Sequence, residues 1–196
     1  MSFLVLAAAA VQASGAPTIA ITDFAGEIRI EQGAALSARV VRADPEGPVS
    51  IEETGAGLVI DGGRDMRRWR CRGGWRETQV GPRRGDARPF DELPLLIITT
   101  PEPAALDLDD SIVRAEAGDL AALDLGLAHC GAFQAGMIGG DARLGLSGSA
   151  DVTLGDVGGD AAVAISGSSD VTLGDVTGAL TVSISGSGDV QTGDAA

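Results

Sequence analysis

The block SGSADVTLGDVGGDAAVAI at residues 147–165 is followed at 166–184 by SGSSDVTLGDVTGALTVSI, and the pattern begins again at 185 with SGSGDVQTGD. The restart positions 147, 166 and 185 set a period of 19 residues. A fixed period of this size marks a stacked repeat, in which each unit buries its apolar face only against the next one. Within a unit the apolar residues alternate, Val152 with Leu154 and then Ala161, Val163 and Ile165, which is the two-residue rhythm of β-strands. The runs are short and end in SGS or GG, so one unit supplies two strands and two corners. Stacking lines up columns such as Phe133, Val152, Val171 and Val190, or Leu127, Leu146, Ile165 and Ile184. A sandwich pairs neighbours antiparallel and has no use for identical residues every 19 positions. The spacing therefore predicts an all-β fold, a parallel β-solenoid with about 19 residues per coil.

Upstream the pattern is fainter. Residues 128–146 fit the register, with Gly136, Gly140 and Leu146 falling on Gly155, Gly159 and Ile165. One step further, Leu106 and Leu108 align with Leu125 and Leu127, while VRAEAGDL at 113–120 sits one residue out of register, read as a loop difference. The segments TIAITDFAGEIRIEQ, ALSARVVRA, VSIEETGAGLVIDGG and LPLLIITT alternate in the same manner and are expected to form further coils of one domain spanning 14–196. At this period, about 180 residues would make about nine coils and a rod of ~45 Å.

Composition narrows the function classes. Aromatic residues are four Phe and two Trp, so any core must be built from Ala, Val, Leu and Ile. All 14 basic residues are arginine, and the lack of lysine excludes Walker-A loops, Schiff bases and lysine general bases. A net charge of −14 argues against nucleic acid as a partner.

The apolar run FLVLAAAAVQA at 3–13, with Val11 and Ala13 at the −3 and −1 positions of a signal-peptidase site, reads as a signal peptide over 1–13. It is too short to be a transmembrane segment, which needs about 20 apolar residues. Export would place Cys71 and Cys130 in an oxidising compartment, where a disulfide is the leading expectation. Two independent thiols remain the alternative. A zinc site drawn from Cys71, His129 and Cys130 suits the spacing rules poorly, because adjacent residues seldom ligate one ion. No metal or cofactor is expected.

The compositional outlier is 64–92, which holds nine of the 14 arginines and both tryptophans. Arg67, Arg68, Trp69, Arg70, Arg72, Trp75 and Arg76 form a candidate ligand-binding loop, suited to an acidic glycan or lipid headgroup through guanidinium contacts and ring stacking. The competing reading is packing, with the loop folded against the acidic coils and anchored through Cys71. Asp151, Asp170 and Asp189 share one repeat position and Asp156, Asp175 and Asp194 another. Like charges one coil apart repel by roughly 0.9 kcal/mol in bulk-water dielectric. Corner aspartates that accept turn N–H groups explain them better than calcium, which wants six to eight oxygens. His129 falls where later units carry Gly148, Gly167 and Gly186 and reads as a corner residue.

The SGSGDV and SGSSDVTLGDV units, behind strand pairs such as IAITDFAGEIRI and a signal-like start, resemble the bacterial auto-transporter adhesin head GIN domain family and its adhesin-like β-helix relatives. The resemblance is clearest over 104–194, is only one of strand rhythm over 18–100, and leaves 64–92 without a counterpart. It implies a single-stranded β-helix of the bacterial envelope, in the periplasm, on the outer membrane surface or secreted. It carries over no catalytic residue. The expected function is a non-enzymatic surface-interaction module whose partner is an envelope glycan, a lipid headgroup or another protein. The alternative is a β-helix enzyme or binding protein acting on anionic polysaccharide, which needs two carboxylates placed about 5 to 10 Å apart across a groove. An ice- or mineral-binding array on Thr153 and Thr172 is weaker, since that column ends at Gln191.

Overall fold

Alternating Val, Leu and Ile between glycine corners leaves the backbone no local hydrogen-bond partner, so each strand must find its neighbour in another unit. The computed structural model, which describes residues 15–44, 47–73, 78–83 and 85–195, shows where those neighbours are. In chain order the strands are β1 (Thr18–Thr22), β2 (Ala25–Gln32), β3 (Ser37–Arg42), β4 (Ser50–Thr54), β5 (Gly57–Asp61), β6 (Trp69–Arg72), β7 (Gln79–Pro82), β8 (Arg88–Pro89) and β9 (Leu95–Thr100). There follow β10 (Ala105–Ala117), β11 (Ala122–Ala135), β12 (Ala142–Leu154), β13 (Ala161–Gly167), β14 (Asp170–Thr172), β15 (Leu180–Gly186) and β16 (Asp189–Gln191). The fold is all-β, with a mostly parallel 13-stranded sheet and a separate 3-stranded antiparallel one among the described residues.

From β11 onward every parallel partner lies 19 residues on, as the repeat requires: Leu127, Leu146, Ile165 and Ile184 pair level by level, and so do Phe133, Val152, Val171 and Val190. A third contact per unit, absent from the sequence reading, is a chain of single bridges through Leu120, Ile138, Val157, Val176 and Ala195. The inward columns are almost wholly buried and form one continuous core. On the last level, β15 and β16, the column tops Val182 and Ile184 are 41% and 43% exposed.

Gly148, Gly167 and Gly186 mark the corner between the two strand faces, with φ of 128°, 144° and 145°. A Cβ at Gly167 would overlap the carbonyl oxygen of Gly148, and one at Gly186 that of Gly167. His129 heads this column at φ 66° and pairs in register with Gly148, as its sequence position suggested.

Two expectations are corrected. Leu106 and Leu108 pair with Leu123 and Leu125, not with Leu125 and Leu127, and 113–117 is strand, not loop. The mismatch is absorbed by register shifts in β10 between Leu108 and Ser111 and between Ser111 and Arg114, where Asp110 takes φ 45° and the buried Ser111 hydroxyl accepts from Phe24 N–H and donates to Asp109 O.

The N-terminal region adds two further parallel levels, fewer than expected. β1 and β2 pair in parallel with the two halves of β10, and β5 and β9 pair in parallel beyond them. β3 and β4 then close that side antiparallel, on β9 and β5. The parallel levels are thus β5/β9, β1/β2, β10, β11, β12, β13/β14 and β15/β16, and with the antiparallel level they extend about 34 Å, short of the nine coils expected. The shortfall arises because β3, β4, β6, β7 and β8 pair antiparallel and stand outside the parallel stack. Exposed Glu52 and Glu53 on the closing strand β4 place charge where a further strand would otherwise pair.

Candidate functional site

The arginine-rich segment leaves the stack after β5 and returns at β9, and its described residues between 62 and 94 form an arm. Its strands β6, β7 and β8 pair antiparallel. Met66, Trp69, Val80, Phe90 and Leu93 turn inward from the arm and meet Ala25, Ile112, Ala128 and Cys130 in a second hydrophobic cluster.

Three polar ties fix the arm. Cys71 on β6 is disulfide-bonded to Cys130 on β11, with Cα atoms 6.2 Å apart. The Asp44 carboxylate, whose side chain is wholly buried, receives Arg64 at 2.9 Å and Arg88 at 3.0 Å from the two ends of the arm. Arg42 of β3 donates to the carbonyls of Leu93 and Phe90 and pairs with Glu27 at 2.6 Å. The disulfide removes both thiols from the zinc arrangement considered above, and His129 Nε2 lies 3.2 Å from the Met66 carbonyl oxygen. A disulfide between distant segments suggests an oxidising, exported compartment.

The residues of the candidate loop separate into distinct roles. Trp69 is buried in the second cluster with Arg64 5.4 Å from its ring centroid, so its ring is a packing element and offers no face to a ligand. Arg72 donates to the carbonyls of Pro82, Arg83 and Gly85 and so ties β6 to the chain that leaves β7. Arg68 pairs with Asp65 at 3.1 Å on the surface. Arg67 and Arg70 are exposed. Trp75 and Arg76, like the signal segment 1–13, lie outside the described residues.

Between arm and stack lies an open cleft of about 620 Å³. The arm contributes Arg70, the disulfide and Phe90; the stack contributes Arg114, His129, the low floor of Gly131 and Ala132, and the Asp151 and Asp170 side. The Arg114 guanidinium lies 4.7 Å from the centre of the Phe90 ring. Burial, and then the Asp170 carboxylate one level away, raise the Asp151 carboxyl above the ordinary aspartate value. The sequence reading missed Arg114, although it is the only basic residue between Pro89 and Ala142 and that isolation was visible.

The remaining aspartate columns behave as corner acceptors. Asp156 Oδ1 takes the Asp175 N–H at 3.0 Å and Asp175 Oδ1 takes the Asp194 N–H at 2.9 Å, one level apart each time. Asp119, Asp141 and Asp160 do the same for Met137, Asp160 and Ala179. Each carboxylate thus ties one level to the next, which offsets the repulsion within the column. Another corner gathers Asp23, Asp61, Asp65, Asp109 and Asp110, and burial followed by those neighbours raises the Asp23 carboxyl. Among the described residues no group of three or more His, Cys, Asp or Glu side chains has the geometry to hold a metal ion, and no helix is long and apolar enough to cross a membrane.

In comparisons with known proteins, the chain matches no family model and no curated sequence.

Proposed function

We propose that this chain is an exported bacterial envelope protein, a single-stranded β-solenoid of the auto-transporter adhesin head GIN domain kind, which acts by surface recognition without catalysis. The 19-residue parallel register supports the solenoid, and the cross-linked cysteines support export. The observation that carries the recognition reading is the arm itself. A disulfide, a buried carboxylate clamp and a second apolar cluster hold it beside the outer face of the stack, and it presents Arg67, Arg68 and Arg70 to solvent. Rigid support beneath exposed arginines is what contact with an anionic envelope glycan, a lipid headgroup or an acidic protein surface requires.

The second reading, an enzyme acting on anionic polysaccharide, draws on Asp151 and Asp170. They are register partners on one column, whereas a glycosidase brackets the scissile bond with its two carboxylates. Both readings are tested with the oxidised chain on immobilised polygalacturonate and on phosphatidylglycerol vesicles at low and high salt. Recognition predicts salt-sensitive retention that is lost in the Arg67→Ala, Arg68→Ala, Arg70→Ala triple variant, with no new reducing ends released. Retention unchanged in the triple variant would reduce the arm to packing; chain cleavage abolished by Asp151→Asn would establish the enzyme.

A further inference from the structure

The cleft has opposite charge at its two ends. Arg114, Ala132, Asp151 and Asp170 occupy successive levels of one outward column. At ~4.8 Å per level, Arg114 is about 12 Å from the midpoint of the two aspartates. Between them the side chains fall away to Ala132 and Gly131, which leaves a trough roofed by the arm. Among the described residues, Arg70, Arg114, Asp151 and Asp170 take part in no ion pair. Arg114 packs against Phe90, and a guanidinium stacked on a ring keeps its in-plane N–H fork for an oxyanion. At the other end, Asp170 Oδ1 receives only a long 3.3 Å contact from the Asp189 N–H. Burial and the neighbouring Asp170 carboxylate both raise the Asp151 carboxyl, as two adjacent carboxylates without a cation between them would.

We propose that the cleft binds a short zwitterionic peptide, with its carboxylate at Arg114 and its ammonium between Asp151 and Asp170. The length follows from the geometry, since four extended residues span about 13 Å. The chemistry follows from charge. An ammonium supplies three N–H donors and relieves the repulsion between two carboxylates, which sugar hydroxyls cannot do. Phe90 is buried beneath Arg114, so its own ring offers no open face on which a pyranose could stack. The site goes beyond the recognition reading above, which concerns anionic partners of the arm's exposed arginines.

The test uses the full oxidised chain and tetra-alanine with free termini, followed by calorimetry or amide-shift titration. Tetra-alanine should bind with a Kd at or below about 1 mM. N-acetylation or C-amidation should each weaken binding about tenfold, and di-alanine, too short to reach both ends, should bind no better than the capped forms. The Asp151→Asn, Asp170→Asn double variant should lose its discrimination against the acetylated peptide only, and Arg114→Gln against the amidated peptide only. Equal binding of free and capped peptides, or no binding at about 5 mM, overturns the proposal. Preference for trigalacturonate over tetra-alanine overturns it too but leaves surface recognition standing. Peptide binding without salt-sensitive retention on glycan or vesicle would do the reverse.

Discussion

Gly167→Ala tests the stacking geometry at one atom. Gly167 holds φ 144°, a region nearly closed to residues with a Cβ, and an alanine Cβ there would overlap the Gly148 carbonyl oxygen of the level before. The backbone penalty is about 1–3 kcal/mol. Relief of the overlap requires the two levels to separate at the corner, where Ser168 N–H donates to Gly148 O at 2.7 Å; losing that bond adds about 1 kcal/mol. The sum, about 3 kcal/mol, corresponds to a fall in Tm of about 6–12 °C for a domain of this size. Gly145→Ala, on the adjoining strand, is the control. The nearest atom to its added Cβ is the Leu125 carbonyl oxygen at 3.8 Å, ordinary contact, so it should change Tm by no more than about 2 °C. Both variants are compared by calorimetric and circular-dichroism melts of the oxidised chain. If Gly167→Ala melts with Gly145→Ala, the levels are not in the contact described and the argument from the glycine column is wrong.

Asp44→Asn strands Arg64 and Arg88 around a neutral amide and should cost about 2–4 kcal/mol in urea titration, with the arm becoming the first site of proteolysis. Cys71→Ser with Cys130→Ser opens a loop with a sequence separation of 59, for which chain entropy gives about 4 kcal/mol; the same loss should follow reduction of the natural chain, and equal melts with and without reductant would refute it. Asp107 carries a carboxyl raised first by burial and then by Asp124 and Asp109. Its proton is held more tightly in the folded state, so stability from this group is present at low pH and lost as pH rises through the raised value. Asp107→Asn should therefore raise Tm by about 1–3 °C at pH 7 and leave it unchanged near pH 3, the gain being small because the group is largely solvent-screened.

The legible part of the fold was the part that repeats. From Leu127 to Val190 the paired columns could be written down from the sequence, because identical units must meet identical partners. Legibility failed at β10, where the level is shorter than 19 residues and its register against β11 shifts twice around Asp110 and Ser111, so that Leu106 and Leu108 pair two positions from the expected alignment. Two features of the cleft were visible, the cysteine pair and the crowding of arginines. Their division of labour was not, since Trp69 and Arg70 are adjacent in sequence yet one is buried in the arm's core and the other faces the cleft.

By itself the sequence determined strand rhythm, the parallel 19-residue register, the corner glycines and the aspartates that tie corner to corner. These follow from local sterics and from period, each a property of a few neighbouring residues repeated in kind. The tertiary structure alone decided that β1 lies beside β10, Thr18 against Ala105, that β5 and β9 complete one level between them, and that Asp44 joins Arg64 to Arg88. It also decided that Arg114 and Asp151, with Ala132 between them on one column, line the same cleft as Arg70. Such pairings are chosen by which surfaces bury most apolar area and leave fewest charges unmatched. That is a comparison over the whole chain, and no period in the sequence encodes it.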